Sequence, residues 1–81
     1  MDPFEQALQF IQAGRLDEAR IYFEELLKQD PENEDILYNL GMLYTELGSP
    51  DSAVQLLKKC TEISPENANA HVALGFAYMN L

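Results

Sequence analysis

The residues able to do chemistry in this 81-residue chain are few, and their spacing brings none of them together. Catalysis needs a nucleophile with a base beside it, paired carboxylates across a cleft, or a metal. His71 has no Ser or Cys placed to work with it, and a lone titratable group makes no site. Cys60 falls at the C-terminal end of a helical stretch, where the helix dipole disfavours a thiolate, and Lys58 and Lys59 point to other sides of that helix. It reads as a packed core thiol. The carboxylates Asp30, Glu32, Glu34 and Asp35 crowd one turn but lack the alternating oxygen ligands and central glycine of a calcium loop, so they read as capping and solubility residues. A single cysteine allows no intrachain disulfide, and the chain has no Cys/His cluster with zinc spacing. The expectation is a protein that is not an enzyme and uses no metal or cofactor.

Charge narrows the partners. Fourteen acids against five bases give a formal charge of −9, which repels phosphate backbones and anionic lipid surfaces. Nucleic acid and membranes are therefore not expected partners. The apolar runs are broken by polar residues well before a membrane span, and the first residues have neither a basic head nor an apolar signal core. A cytoplasmic, reducing setting follows as the expectation.

What must position these residues is a repeat. Leu37, Leu40, Gly41 and Tyr44 recur as His71, Leu74, Gly75 and Tyr78, and 75 − 41 = 34. At the same offset Gly14 falls on Gly48, Asp17 on Asp51, Ala19 on Ala53, and Pro31-Glu32-Asn33 on Pro65-Glu66-Asn67. Within a unit the pattern is helical: Ile36, Leu40, Leu43 and Leu47 form one apolar stripe, and Leu37, Gly41 and Tyr44 its neighbour. Asn33 suits an N-cap, Gly48 a left-handed helix end, Ser49 a second N-cap and Pro50 a first helical position. The spacing predicts five helices and no strand: Pro3 to Ala13, Leu16 to Gln29, Glu34 to Leu47, Pro50 to Ile63 and Ala68 to Leu81. They form a single domain of units 1–33, 34–67 and a partial 68–81. Small residues at Ala7, Gly41 and Gly75, opposed by Ala19, Ala53 and Cys60, allow close helix approach, with Phe23, Leu57, Phe10 and Tyr44 filling the space beside them.

These residues resemble the tetratricopeptide repeat, whose pattern runs aromatic-x-x-Leu-Gly-x-x-Tyr, then Ala-x-x-x-Phe, then Pro. The second unit reads Leu37, Leu40, Gly41, Tyr44, Ala53, Leu57 and Pro65, departing at Leu37 and Leu57 while keeping a large apolar side chain at both. The first unit matches at Ala7, Phe10, Ala19, Phe23 and Pro31. The resemblance implies an all-α fold, a right-handed superhelix of antiparallel helix hairpins (an α-solenoid). Its first helices line a concave groove that receives peptides or helices from partner proteins. A related hairpin-repeat family binds RNA, which the acidic charge argues against.

Carried onto this chain, the family's groove positions hold Phe4, Glu5, Leu8, Ile11 and Gln12, then Asp35, Tyr38, Asn39, Met42, Thr45 and Glu46. On the last helix they hold Asn69, Val72, Ala73, Phe76, Met79 and Asn80. Eight of these are large and apolar, whereas all five cations fall in turns or second helices. An apolar groove with an acidic rim suits an amphipathic peptide or helix carrying some Lys or Arg. Repeat domains of this family that hold chaperone C-terminal carboxylates use Lys, Asn and Arg at positions that here carry Phe4, Leu8, Asn39, Asn69 and Ala73. Only Asn39 survives, so that partner class is rejected.

The two ends differ. The stripe that packs on a preceding hairpin is Ile36, Leu40, Leu43, Leu47 in the second unit and Ala70, Leu74, Ala77, Leu81 in the third. In the first unit it is the polar set Asp2, Gln6, Gln9, Ala13, which predicts that the array begins near Met1. At the other end His71, Gly75 and Tyr78, with nearby Phe76 and Leu81, form a face that lacks its second helix. Either the chain is a piece of a longer array, or this face is a self-association surface. Two functional classes follow: a scaffold binding proteins through its groove, and an oligomerisation or tethering segment.

Overall fold

Glycine and proline set the boundaries of the helices. The structure, a computed structural model, describes residues 2–81; Met1, and with it the expected start of the array, lies outside the described residues. Five helices follow in order, α1 (Pro3–Gln12), α2 (Leu16–Gln29), α3 (Glu34–Glu46), α4 (Pro50–Ile63) and α5 (Ala68–Met79). There is no strand among the described residues. Asp2, Asn33 and Asn67 each cap a helix by accepting from backbone N–H groups of the first turn, which satisfies donors the helix itself cannot pair. Pro3 and Pro50 occupy the first helical position of α1 and α4, where a missing N–H costs nothing.

Three sequence expectations are corrected at the helix ends. α1 and α3 each stop one residue early, at Gln12 and Glu46, because Gly14 and Gly48 adopt φ of 77° and 82° and close both helices in the same way. The N–H of Gly48 donates to Thr45 and that of Ser49 to Tyr44, as Gly14 does to Ile11 and Arg15 to Phe10. This is the Schellman closure, used twice at one repeat's spacing. Ser49 occupies the N-cap position of α4 as expected, its carbonyl accepting from the Ala53 N–H, but its hydroxyl makes no capping bond. The last helix ends at Met79, so Leu81 leaves the Ala70–Leu74–Ala77 stripe and is 64% exposed.

Each helix pairs with its successor to make hairpins α1–α2 and α3–α4, and α5 packs on α4. The apolar stripe Ile36, Leu40 and Leu43 of α3 closes on Ala7, Ala19 and Phe23 of the preceding hairpin, with Leu47 beside it. Phe23 and Leu40 are essentially inaccessible, and each such side chain stabilises by roughly 1.5–3 kcal/mol. The second stripe meets α4. A Cβ added at Gly41 would lie 2.6 Å from Cγ of Leu57, so the glycine is what lets α3 and α4 approach. Leu37 packs with Cys60 and Ala70 in the layer that joins α3, α4 and α5. On α1, Gln9 and Ala13 face outward, in keeping with the polar first-unit stripe.

Candidate functional site

Sequence reasoning assigns the groove to α1, α3 and α5, and the side chains that meet there do so at two adjoining depressions. The first, about 230 Å³, is lined by Ile11, Tyr38, Asn39, Met42, Leu43 and Glu46. The second, about 190 Å³, is lined by Tyr38, Met42, Asn69, Val72, Ala73 and Phe76. Tyr38 and Met42 belong to both, because residues four apart on α3 stand above one another on the face turned to the concave side. The two depressions thus form one strip across the three first helices. Val72 and Phe76 are 72% and 52% exposed, far more than core residues of the same type.

Not every groove residue expected from sequence reaches this strip. Phe4 is half-buried, stacked edge-on against Phe23 with ring centroids 5.6 Å apart. It meets Asp35 at a separate recess where α2 runs into α3. Leu8 packs against the first core cluster. Thr45 turns its hydroxyl back to the Gly41 carbonyl at 3.2 Å. Ala73 lines the second depression but is itself buried against Ala53, Leu57 and Ala77, so it forms floor rather than wall. Met79, 82% exposed, lies beyond the strip. Asn39 donates its amide to the Asp35 carbonyl at 2.8 Å.

The charges are sorted by face. Arg15, Arg20 and Lys28 pair within their own stretch of chain, with Glu18 at 2.6 Å, Glu24 at 3.1 Å and Glu25 at 3.2 Å. Glu5, Asp35 and Glu46 on the first helices are exposed and form no ion pair among the described residues. Their field at the strip is therefore uncompensated.

The opposite face holds a recess of about 500 Å³ between α2 and α4. Into it turns the Tyr44 hydroxyl, which donates to Oε2 of Glu24, while Arg20 donates to the other carboxylate oxygen. Accepting that proton, and helped by partial burial, Glu24 holds the Tyr44 phenol above its ordinary pKa. Sequence reasoning missed this link, which joins residues twenty positions apart in different repeats. Cys60 is buried, and desolvation raises its thiol pKa, with Glu34 and Asp35 adding to the effect. Its sulfur donates to the Glu34 carbonyl at 3.5 Å, a packed thiol without a reactive thiolate. His71 donates from Nε2 to the Pro65 carbonyl at 2.7 Å. No group of three His, Cys, Asp or Glu side chains that could hold a metal ion occurs among the described residues. No described helix is long and apolar enough to cross a membrane.

A tetratricopeptide repeat family model matches residues 10–59, and a second model, described as a TPR repeat, matches residues 42–81. The chain belongs to the tetratricopeptide repeat family. Among similar proteins, the peroxisomal targeting signal receptor of Candida albicans is 34% identical over 80 residues, 98% of this chain and 14% of that protein. The CTR9 homolog of Arabidopsis thaliana is 37% identical over 65 residues, 80% of this chain and 6% of that protein. The PEX5-related protein of Mus musculus is 30% identical over 77 residues, 95% and 14% respectively. The chain thus spans about a seventh or less of the curated relatives it matches. Its tetratricopeptide repeats account for both the 34-residue period and the five-helix stack.

Proposed function

We propose that this repeat array binds a peptide or amphipathic helix from a partner protein along the strip centred on Tyr38 and Met42, and that the partner carries apolar anchors flanked by Lys or Arg. The observation that carries the reading is the sorting of charge. The strip's apolar side chains, half-buried at Tyr38 and Met42 and exposed at Val72 and Phe76, are edged by the exposed, unpaired Glu46, while three of the five cations are tied to acids and none is on a first helix. A cationic amphipathic ligand gains burial of its apolar face and a long-range attraction that speeds encounter. An anionic ligand would meet only repulsion. Relatives named as receptors for a peroxisomal targeting signal, which share about a seventh of their length with this chain, support a ligand-receiving role for the repeats.

Isothermal titration of the 81-residue chain with a Lys-rich amphipathic peptide tests this. Binding is expected to weaken with salt, and to be lost in the double variant Met42→Glu, Phe76→Glu, whose circular dichroism stays that of the parent. Binding that survives both substitutions overturns the groove assignment.

A further inference from the structure

The recess between α2 and α4 lies on the face away from the strip and has the opposite electrical character. It exists because α2 and α4, second helices of successive hairpins, each pack against α3, and Leu40 and Tyr44 of α3 floor the channel left between them. Leu27 of α2 and Leu56 of α4, both half-buried, are its apolar walls, and Ser52 and Gln55 add neutral donors. All three helices are internal to the chain, so the recess owes nothing to either end of it.

Its charge is the exception in an acidic molecule. In a chain of formal charge −9, Lys28 and Lys59 line the recess and Glu24 is the one acid among its walls. That acid is already engaged at both oxygens: Arg20 donates to Oε1 and the Tyr44 hydroxyl to Oε2. Lys59 is half-buried and forms no ion pair among the described residues. Lys28 pairs with Glu25, one turn back on the open surface, an exposed contact weak enough for a better-placed carboxylate to displace.

We infer that this recess is a second docking surface, for an acidic peptide segment that inserts one or two large apolar side chains between α2 and α4 and sets Asp or Glu against Lys28 and Lys59. Charge complementarity selects the occupant. Carboxylates, which Glu46 repels at the edge of the strip, here meet cations left uncompensated. A bare anion gains nothing from leucine walls, and a nucleic acid meets the repulsion of the whole chain. From Ser52 to Lys59 the α4 wall spans about 10 Å at 1.5 Å per residue. A peptide seats its anchors in that length and runs on over the surface, whereas a long acyl chain would outrun it.

Amide NMR titration of the 81-residue chain with a short capped peptide, a Leu-Leu pair flanked by Asp and Glu, tests this. Shifts should centre on Leu27, Ser52, Leu56 and Lys59 and leave Met42 and Phe76 unmoved, and affinity should fall as salt rises. Lys59→Glu should weaken this peptide about fivefold or more, with the parent's circular dichroism, while the Lys-rich peptide of the strip binds undiminished. The two surfaces therefore fail independently. Lys28→Glu, at an exposed position, should weaken it in the same direction without any packing to lose, and Lys59→Arg should keep most of the affinity. No shift at millimolar peptide overturns the proposal, as does binding indifferent to both charge reversals, or equal binding of a peptide with Ala in place of the Leu pair. Uptake of decanoate at these residues without uptake of the peptide also overturns it, and would make the recess a site for small carboxylates.

Discussion

Gly41 and Gly75 occupy the same repeat position in different surroundings, and the difference is measurable. At Gly41 a methyl group would overlap Leu57, so Gly41→Ala must push apart α3 and α4 or force Leu57 off its rotamer, at a cost of about 1–3 kcal/mol. At Gly75 the space is open, and alanine should stabilise α5 by roughly 0.5–1 kcal/mol through helix propensity. Urea unfolding of the two variants, measured at low protein concentration, should move in opposite directions. Tyr44 supplies a second test at this scale. Its phenol is held above the ordinary 10.0, first by donating to Glu24 and then by burial. A group whose folded pKa is raised contributes stability that is complete below its unfolded pKa and is lost as pH rises through the folded value. The parent should therefore exceed Tyr44→Phe by about 0.5–1.5 kcal/mol near neutrality, and that margin should shrink as pH climbs above 10. Cys60, also raised, is common to both proteins and cancels in the comparison.

Among the elements, α3 packs against α2 before it and both α4 and α5 after it. Opening α3 uncovers the large side chains Ile36, Leu37, Leu40 and Leu43, whereas α5 detaches by giving up Ala70, Ala73 and Ala77 with the half-buried Leu74. Native-state hydrogen exchange at low concentration should therefore release α5 amides well before those of α3; equal protection in the two would mean that the array opens only as a whole. All five helices could be read from the sequence, because the 34-residue period repeats each punctuation mark and glycine, proline and asparagine act locally. The residues that sequence reading misplaced are set by geometry beyond their own turn. Ser49 sits at the N-cap of α4 as its type suggests, but with its backbone also closing α3 its hydroxyl makes no bond to the first turn. Ala73 lay in the groove phase, yet α4 approaches closely enough to bury it. Leu81 fell in a packing stripe whose helix stops before reaching it. The Tyr44–Glu24–Arg20 link has no local signal, since it depends on how far α2 and α3 of successive hairpins lean together.

For the whole molecule, the proposed function rests on an asymmetry between faces. Second helices and turns carry every cation, while the first helices present apolar side chains and free carboxylates. About half of the groove residues expected from sequence converge on the strip, among them Ile11, Tyr38, Asn39, Met42, Glu46, Asn69, Val72 and Phe76. Phe4, Leu8 and Thr45 serve packing instead, because helix ends and core-facing phases draw in side chains that a family pattern alone would assign to a ligand. The recess between α2 and α4 is larger than either depression of the strip, so size alone would send a ligand to the opposite face. A two-dimensional amide NMR titration with the Lys-rich amphipathic peptide decides between them most directly. The account predicts shifts concentrated at Tyr38, Asn39, Met42, Val72 and Phe76 with little change at Leu27, Leu56 and Lys59; shifts centred on those last three residues would contradict it.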